Sequence, residues 1–297
     1  MGYFVKGNRA ANVYRASVKL ERVGLVPAAG QGKRISPMPC SKEIIPVGFR
    51  QIVSPGDLRP KVVSHYLFEK YRRAGVVNTF VVLRDGKWDI PAYYGDGAML
   101  GLHLAYIVIS QSEGPPDTID RAYSFVKNSQ VAFGFPDILF GPKDVYERLF
   151  GRLEETRADI VLGLYRAHSC RAMDMVRFGK DGRVHELLLK PARTRLKYAW
   201  ICAVWGPTFS KFMHVRLRAC RAGEGFASGD RRTIDPQGDL PMGAVLCEAV
   251  RAGLHVNSVA FPKDSYVDIG TPTDLYATVR RMSMMIDAPM ETKDEIR

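Results

Sequence analysis

The chain has 297 residues, 46% of them hydrophobic and 25% charged, with 43 Lys and Arg against 31 Asp and Glu for a formal net charge of +12. That length can bury a large core and the composition fits a soluble globular protein; with no apolar run of about 18 residues, no membrane-spanning helix is expected. The basic balance suits an anionic partner, but the cations are dispersed, so clusters such as Arg216–Arg221 and Arg231–Arg232 read as solvated faces, and neither nucleic acid nor membrane is expected as a partner.

Residues 1–20 are polar and aperiodic, an N-terminal extension without a signal-like pattern. Cys40, Cys170, Cys202, Cys220 and Cys247 are odd in number and form no CxxC pair, which indicates neither a zinc site nor a disulfide framework and leaves the cytoplasm as the expected compartment. From Gly24 the chain reads GLVPAAGQGKRISPMPCSKEIIPV. A buried strand over 22–27 empties into a small-residue turn, Ala28, Ala29, Gly30, Gln31 and Gly32, followed by Lys33, Arg34 and, eight residues on, Lys42. Glycines let backbone N–H groups approach a phosphate, and the cations supply charge for a polyphosphate. An ordinary βα turn with solvated cations would show the same glycines.

Residues 48–60, rich in Gly and Pro, read as an inserted loop, and Val62–Ala74 carries a helical apolar stripe capped by Gly75. Thr79–Leu83 and Ala105–Ile109 read as buried strands around a turn-rich stretch containing YYGDGAMLG. A loop over 110–117, a helix over Thr118–Lys127 and a strand over Val131–Phe133 follow, then a helix over Lys143–Thr156 and a strand over Asp159–Tyr165. Met175–Phe178, the turn KDG and Val184–Leu189 make a hairpin; Gly238–Gly253 holds a helix, Val256–Phe261 a strand and Thr273–Met284 the last helix. Repeated strand, loop and helix argue for an α/β fold, a doubly wound, mainly parallel Rossmann-like sheet with an antiparallel addition and a site at the carboxyl ends of its strands. One domain is expected over 21–285, with a charged tail over 286–297.

GQGKRISP, at Gly30–Pro37, and SKEIIP, at Ser41–Pro46, resemble the G-x-G-x-R-x-x-P and P-K-x-x-x-P signature of the sugar-1-phosphate nucleotidyltransferases, the spelling being nearest to the UDP-glucose pyrophosphorylase and glucose-1-phosphate thymidylyltransferase branches. Ser41 stands where the family has proline. The resemblance covers about 22–280, in a short form without appended hexapeptide repeats. It implies attack of a sugar-1-phosphate on the α-phosphorus of a nucleoside triphosphate, releasing pyrophosphate, with Mg²⁺ as cofactor and positioning and charge as the means. By resemblance, Arg34 holds the β- and γ-phosphates, Lys42 the transferring or leaving phosphate, Asp137 and Asp268 the metal, and Lys190 the sugar's 1-phosphate. Residues 28–33 form the substrate loop. As residue types alone, either aspartate could cap a turn and Lys190 could close a strand.

Two departures stand out. Leu189 replaces the glutamate that hydrogen-bonds the sugar, so acceptor recognition is expected to be altered. In the base loop, DTIDRA lacks the usual glycine and brings in Arg121, and Glu113 falls near a base-contacting glutamine. These departures keep two other readings open: a non-catalytic paralogue that binds a nucleotide or sugar phosphate, and a transferase acting on a non-sugar phosphate such as phosphocholine. The six histidines do not cluster and no G-x-S-x-G motif occurs, so nucleophilic catalysis is not indicated. Oligomerisation stays open.

Overall fold

The computed structural model describes residues 20–51, 58–223, 239–263 and 265–284. The expectations for the N-terminal extension, except Leu20, and for the C-terminal tail lie outside the described residues. Strand β1 (Arg22–Ala28) pairs in parallel with β4 (Asn78–Arg84) on one side and β6 (Gln130–Gly134) on the other, and β5 (His103–Ile109) lies parallel to β4. Beyond β6, β11 (Tyr198–Trp205) runs antiparallel to both β6 and β8 (Ile160–Arg166), and β12 (Val256–Phe261) is parallel to β8. The main path is therefore β12-β8-β11-β6-β1-β4-β5, mainly parallel with β11 reversed. The antiparallel hairpin of β9 (Met175–Phe178) and β10 (Val184–Leu188) joins it where Ala199 faces Met175.

The sheet is covered on both faces because successive side chains along each strand point to opposite sides. Val26, Ala28, Val81 and Leu83 pack with Leu67, Phe68 and Tyr71 of α1 (His65–Arg73) and with Tyr146, Leu149 and Phe150 of α5 (Val145–Thr156). Val23, Leu25, Val82 and Phe133 face the other way. They meet Ile119 of α3 (Pro115–Asp120), Val126 of α4 (Tyr123–Val126), Phe209 and Met213 of α6 (Pro207–Arg221), and Val245 and Leu246 of α7 (Met242–Arg251). A smaller cluster, Ile35, Ile45, Val47, Val63 and Ile269, supports the glycine-rich segment from outside the sheet.

Several boundaries differ from expectation. Residues 48–60 are not simply a loop: β2 (Pro46–Gln51) and β3 (Leu58–Val62) pair antiparallel, leaving 52–57 outside the described residues. Val62 therefore ends a strand, and helix α1 starts only at His65. The stretch after β4 contains a one-and-a-half-turn helix, α2 (Asp89–Tyr94). The helix expected over Thr118–Lys127 is two pieces, α3 and α4, broken at Arg121 and Ala122. The central strand β11 and the 15-residue helix α6 had no counterpart in the pattern reading. YAWICAVW is apolar throughout because β11 is buried on both faces, which removes the alternation that would mark a half-buried strand.

Candidate active site

A cavity of about 390 Å³ opens at the carboxyl ends of β1, β4 and β6. The chain adds β4 and β5 on one side of β1 and then returns to place β6 on the other, and such a reversal leaves a crevice beyond the strand ends. Every candidate residue lines this cavity except Ala28, which ends β1 inside the core at 1% exposure. Ala29, Gly30, Gln31, Gly32, Lys33 and Arg34 form one wall. Gly32 turns with φ +64°, a conformation that strains an L side chain, and its carbonyl accepts from the Ile35 N–H at 3.1 Å. Arg34 reaches across the mouth, since a side chain at Gly270 would stand 2.9 Å from both Arg34 Nη2 and Asp268 Oδ1.

Lys42 lies over Gly30 and donates to Asp137 Oδ2 at 2.5 Å. Its position follows from its neighbours. The Ser41 N–H and hydroxyl both donate to the Asp89 carboxylate, at 2.6 and 2.7 Å. On the other side, buried Glu43 accepts from Lys87 at 2.7 and 2.8 Å. The segment 87–89 thus grips the residues on either side of Lys42. Proline at position 41 would lack the N–H, so the departure from the family signature is matched by a donor that only a non-proline residue has.

Asp137 follows β6, and Asp268 ends β13 (Tyr266–Asp268). The short strand β7 (Ile138–Phe140) pairs antiparallel with β13, placing Asp268 opposite Ile138, while the Ile269 N–H donates to the Asp137 carbonyl at 3.2 Å. This two-stranded ribbon brings together two carboxylates 131 positions apart in sequence, 268 minus 137. Burial pushes the Asp137 carboxyl up, but the Lys42 charge and hydrogen bond overcome that and leave it below its ordinary value. Burial, and then the neighbouring Asp137 charge, push the Asp268 carboxyl up. Two hard oxygen donors held against each other fit a divalent cation that completes its shell from phosphate oxygens and water. Among the described residues no group of three or more His, Cys, Asp or Glu side chains could hold a metal unaided.

The opposite wall carries Lys190, which follows β10, and Trp200 of β11. Lys190 has φ +36°, sparsely populated for a non-glycine residue and worth a functional explanation. Leu189 does not line the cavity; it packs with the apolar cluster on the side of α7. Arg121 does not enter it either, pairing with Asp117 at 3.4 Å from an exposed position, and Glu113 is exposed outside the lining. The glycine absent from DTIDRA stands just upstream, where Gly114 lines the cavity with Ser112 and Thr118. Sequence reading also missed Asp174, Glu43 and Arg84 in the lining. The Lys-Glu pair in SKEIIP was a signal for Glu43; nothing local marks Asp174.

Comparison with known proteins agrees with the fold. No protein-family model matches the chain. A glucose-1-phosphate thymidylyltransferase of Streptomyces griseus is 27% identical over 180 residues, 60% of this chain and 47% of that protein, so the match spans about half of the relative's length. A protein of Bacillus anthracis assigned as glucose-1-phosphate thymidylyltransferase, solved with sucrose, superposes with TM-score 0.69 at 14% identity over 88% of this chain and 95% of its own. UDP-glucose pyrophosphorylase with UDP-glucose gives TM-score 0.70 at 15% identity, covering 90% and 99% of the two chains. Its apo form gives 0.71 at 14%, with the same coverage. The chain has the nucleotide-diphospho-sugar transferase fold and resembles the sugar-1-phosphate nucleotidyltransferases.

Proposed function

We propose that this sugar-nucleotidyltransferase-like chain joins a nucleoside triphosphate to a hexose-1-phosphate, releasing pyrophosphate, with UTP or dTTP and glucose-1-phosphate as the first pair to test. The observation that carries the reading is the convergence of Lys42, Asp137, Asp268 and Arg34 beside the glycine turn in one cavity. A cation such as Mg²⁺, held by Asp137 and Asp268, supplies charge neutralisation of phosphate oxygens when bound. The chain's own residues do the rest. Backbone N–H groups at residues 29–32 and the Arg34 guanidinium bind the triphosphate; Lys42, held beside Asp137, meets the charge that grows as pyrophosphate leaves. Lys190 holds the acceptor's phosphate in line, so most of the acceleration comes from orientation and fixed charge.

The test is pyrophosphate release across each NTP with several sugar-1-phosphates and with phosphocholine, in Mg²⁺ and then in EDTA. Turnover that EDTA abolishes and Mg²⁺ restores is expected, with Asp137→Asn and Asp268→Asn each at least about 100-fold slower. Arg34→Ala should weaken NTP binding, and Lys42→Ala should mainly lower kcat. Full activity in Asp268→Asn removes the metal assignment. NTP binding without pyrophosphate release from any acceptor replaces this reading with that of a binding paralogue.

A further inference from the structure

Lys190 accounts for the acceptor's phosphate, and something else must read the rest of the molecule. Asp174, in the segment immediately before β9, lies in the same wall. Its Oδ2 accepts from the Trp200 indole N–H at 3.3 Å. The carboxylate is seated against the first turn of α7, where a methyl group at Gly243 would collide with Asp174 Oδ2 and with Leu189 Cδ2. It therefore lies alongside the side chain that occupies the family's glutamate position. Asp174 Oδ1 is shielded from solvent and makes no hydrogen bond of good geometry among the described residues, although the Lys190 backbone N–H lies against the same carboxylate. Burial pushes this carboxyl up, opposed by the Lys190 charge next to it. A shielded acceptor without a well-formed hydrogen bond is rare in a folded protein and calls for a reason.

We propose that Asp174 is the specificity-determining residue of the acceptor subsite, accepting a hydrogen bond from a hydroxyl of a hexose phosphate whose phosphate rests on Lys190. The inference deepens the proposed function and rests on it. The carboxylate missing at Leu189 is supplied from the segment before β9, by a residue whose space depends on Gly243. The terminal torsion of an aspartate is soft, so a small turn delivers Oδ1 to a ligand. Lys190 already provides countercharge and a backbone N–H to this carboxylate; Oδ1 still has lone pairs to offer a further donor. A sugar hydroxyl is one, and a quaternary ammonium is not.

Calorimetry on the full chain tests this with NDP-glucoses of all five common bases, the matching NDPs, and CDP-choline. Wild type should bind its preferred NDP-glucose more tightly than the NDP alone. In Asp174→Asn that increment should fall by roughly 10- to 100-fold, as for loss of one charge-assisted hydrogen bond, with NDP affinity unchanged. Gly243→Ala, which displaces the carboxylate without removing it, should lose the same increment. The melting temperature of Asp174→Asn should hold or rise, since a shielded charge has gone. Equal NDP-glucose binding by wild type and Asp174→Asn overturns the role of Asp174 and leaves the nucleotide site standing. So does a fall in melting temperature with the sugar increment intact, which marks a purely structural group. CDP-choline bound more tightly than every NDP-glucose overturns it as well. Wild type that binds no NDP and no NDP-glucose overturns the proposed function, and this inference with it.

Discussion

At the residue scale, the proposed transfer depends on how firmly Lys42 is held. Its ammonium sits on a buried carboxylate, and burial alone would drive its pKa down; the Asp137 and Glu43 charges outweigh that and keep the group charged. Charge is thereby secured, but position depends on Ser41–Asp89 and Glu43–Lys87, since a four-carbon side chain has many rotamers to lose. Asp89→Ala should therefore lower kcat by about 10-fold or more while NTP affinity stays within about 2-fold, because displacement of about 1 Å at a catalytic group costs rate before it costs binding. Steady-state kinetics paired with NTP titration check the split. Asp89→Asn, which keeps one acceptor, should recover part of the loss. A uniform rise in KM with unchanged kcat would assign Asp89 to binding instead.

At the scale of elements, α6 is a tie between the helices that wall the cavity. Arg216 pairs with Glu248 of α7 at 2.7 Å, and Arg221 pairs with Asp117 and Asp120 of α3. The Arg216–Arg221 cluster is thus not simply a solvated face. The apolar side of the same helix buries Phe209, Met213 and Leu217. Burial raises the Asp117 carboxyl, and the Arg221 hydrogen bond and charge, with the Glu113 N–H, bring it below its ordinary value. A depressed carboxyl stabilises the fold above its unfolded pKa, and that contribution is lost as pH falls through the folded value. Arg221→Ala leaves two buried carboxylates short of a partner and should cost about 1–3 kcal/mol in urea unfolding at pH 7, the partial exposure of Arg221 limiting the loss. The deficit should begin to shrink as pH falls below about 4, where the unfolded carboxyl takes up its proton, and should vanish only once pH passes the depressed pKa of Asp117 in the folded wild type. A deficit that stays constant down to pH 3 would mean that packing and not charge accounts for it.

At the scale of the whole molecule, one face of the sheet contains a titratable liability outside the cavity lining. Lys70 of α1 is 7% exposed, donates to the Tyr66 carbonyl at 3.1 Å and lies over the Phe140 ring. Burial pushes its ammonium down from 10.5 to about 8. Below pH 8 the folded chain bears the full cost of that shielded charge. From about 8 to 10.5 the folded state has released a proton that the unfolded state still holds, so stability from this group rises with pH. Lys70→Met should melt higher than wild type at pH 7, and the gap should narrow across that window. Melting curves at pH 7, 9 and 10.5 check it; a gap independent of pH would assign the effect to packing.

The α/β class, the glycine turn and the positions of most strands along the chain were legible in the sequence because local chemistry dictates them. Strands over 78–84 and 160–166 are short apolar runs between turn signals, and Gly32 can take its positive φ where other residues would strain. The signature stretch likewise marked Arg34 and Lys42 before any contact was known. Tertiary structure alone decided the rest. Asp137 and Asp268 become neighbours only when β7 pairs with β13, a contact with no local trace. The reversed strand β11 has no alternating pattern because both its faces are buried, and the site's second wall hangs on it through Trp200. Asp174 carries no motif at all; its place beside Lys190 depends on a helix that begins 68 residues later, at Met242 against Asp174, and on the absence of one Cβ at Gly243. Patterns of period 2 and 3.6 report which face of an element is buried, and they are silent about which elements meet.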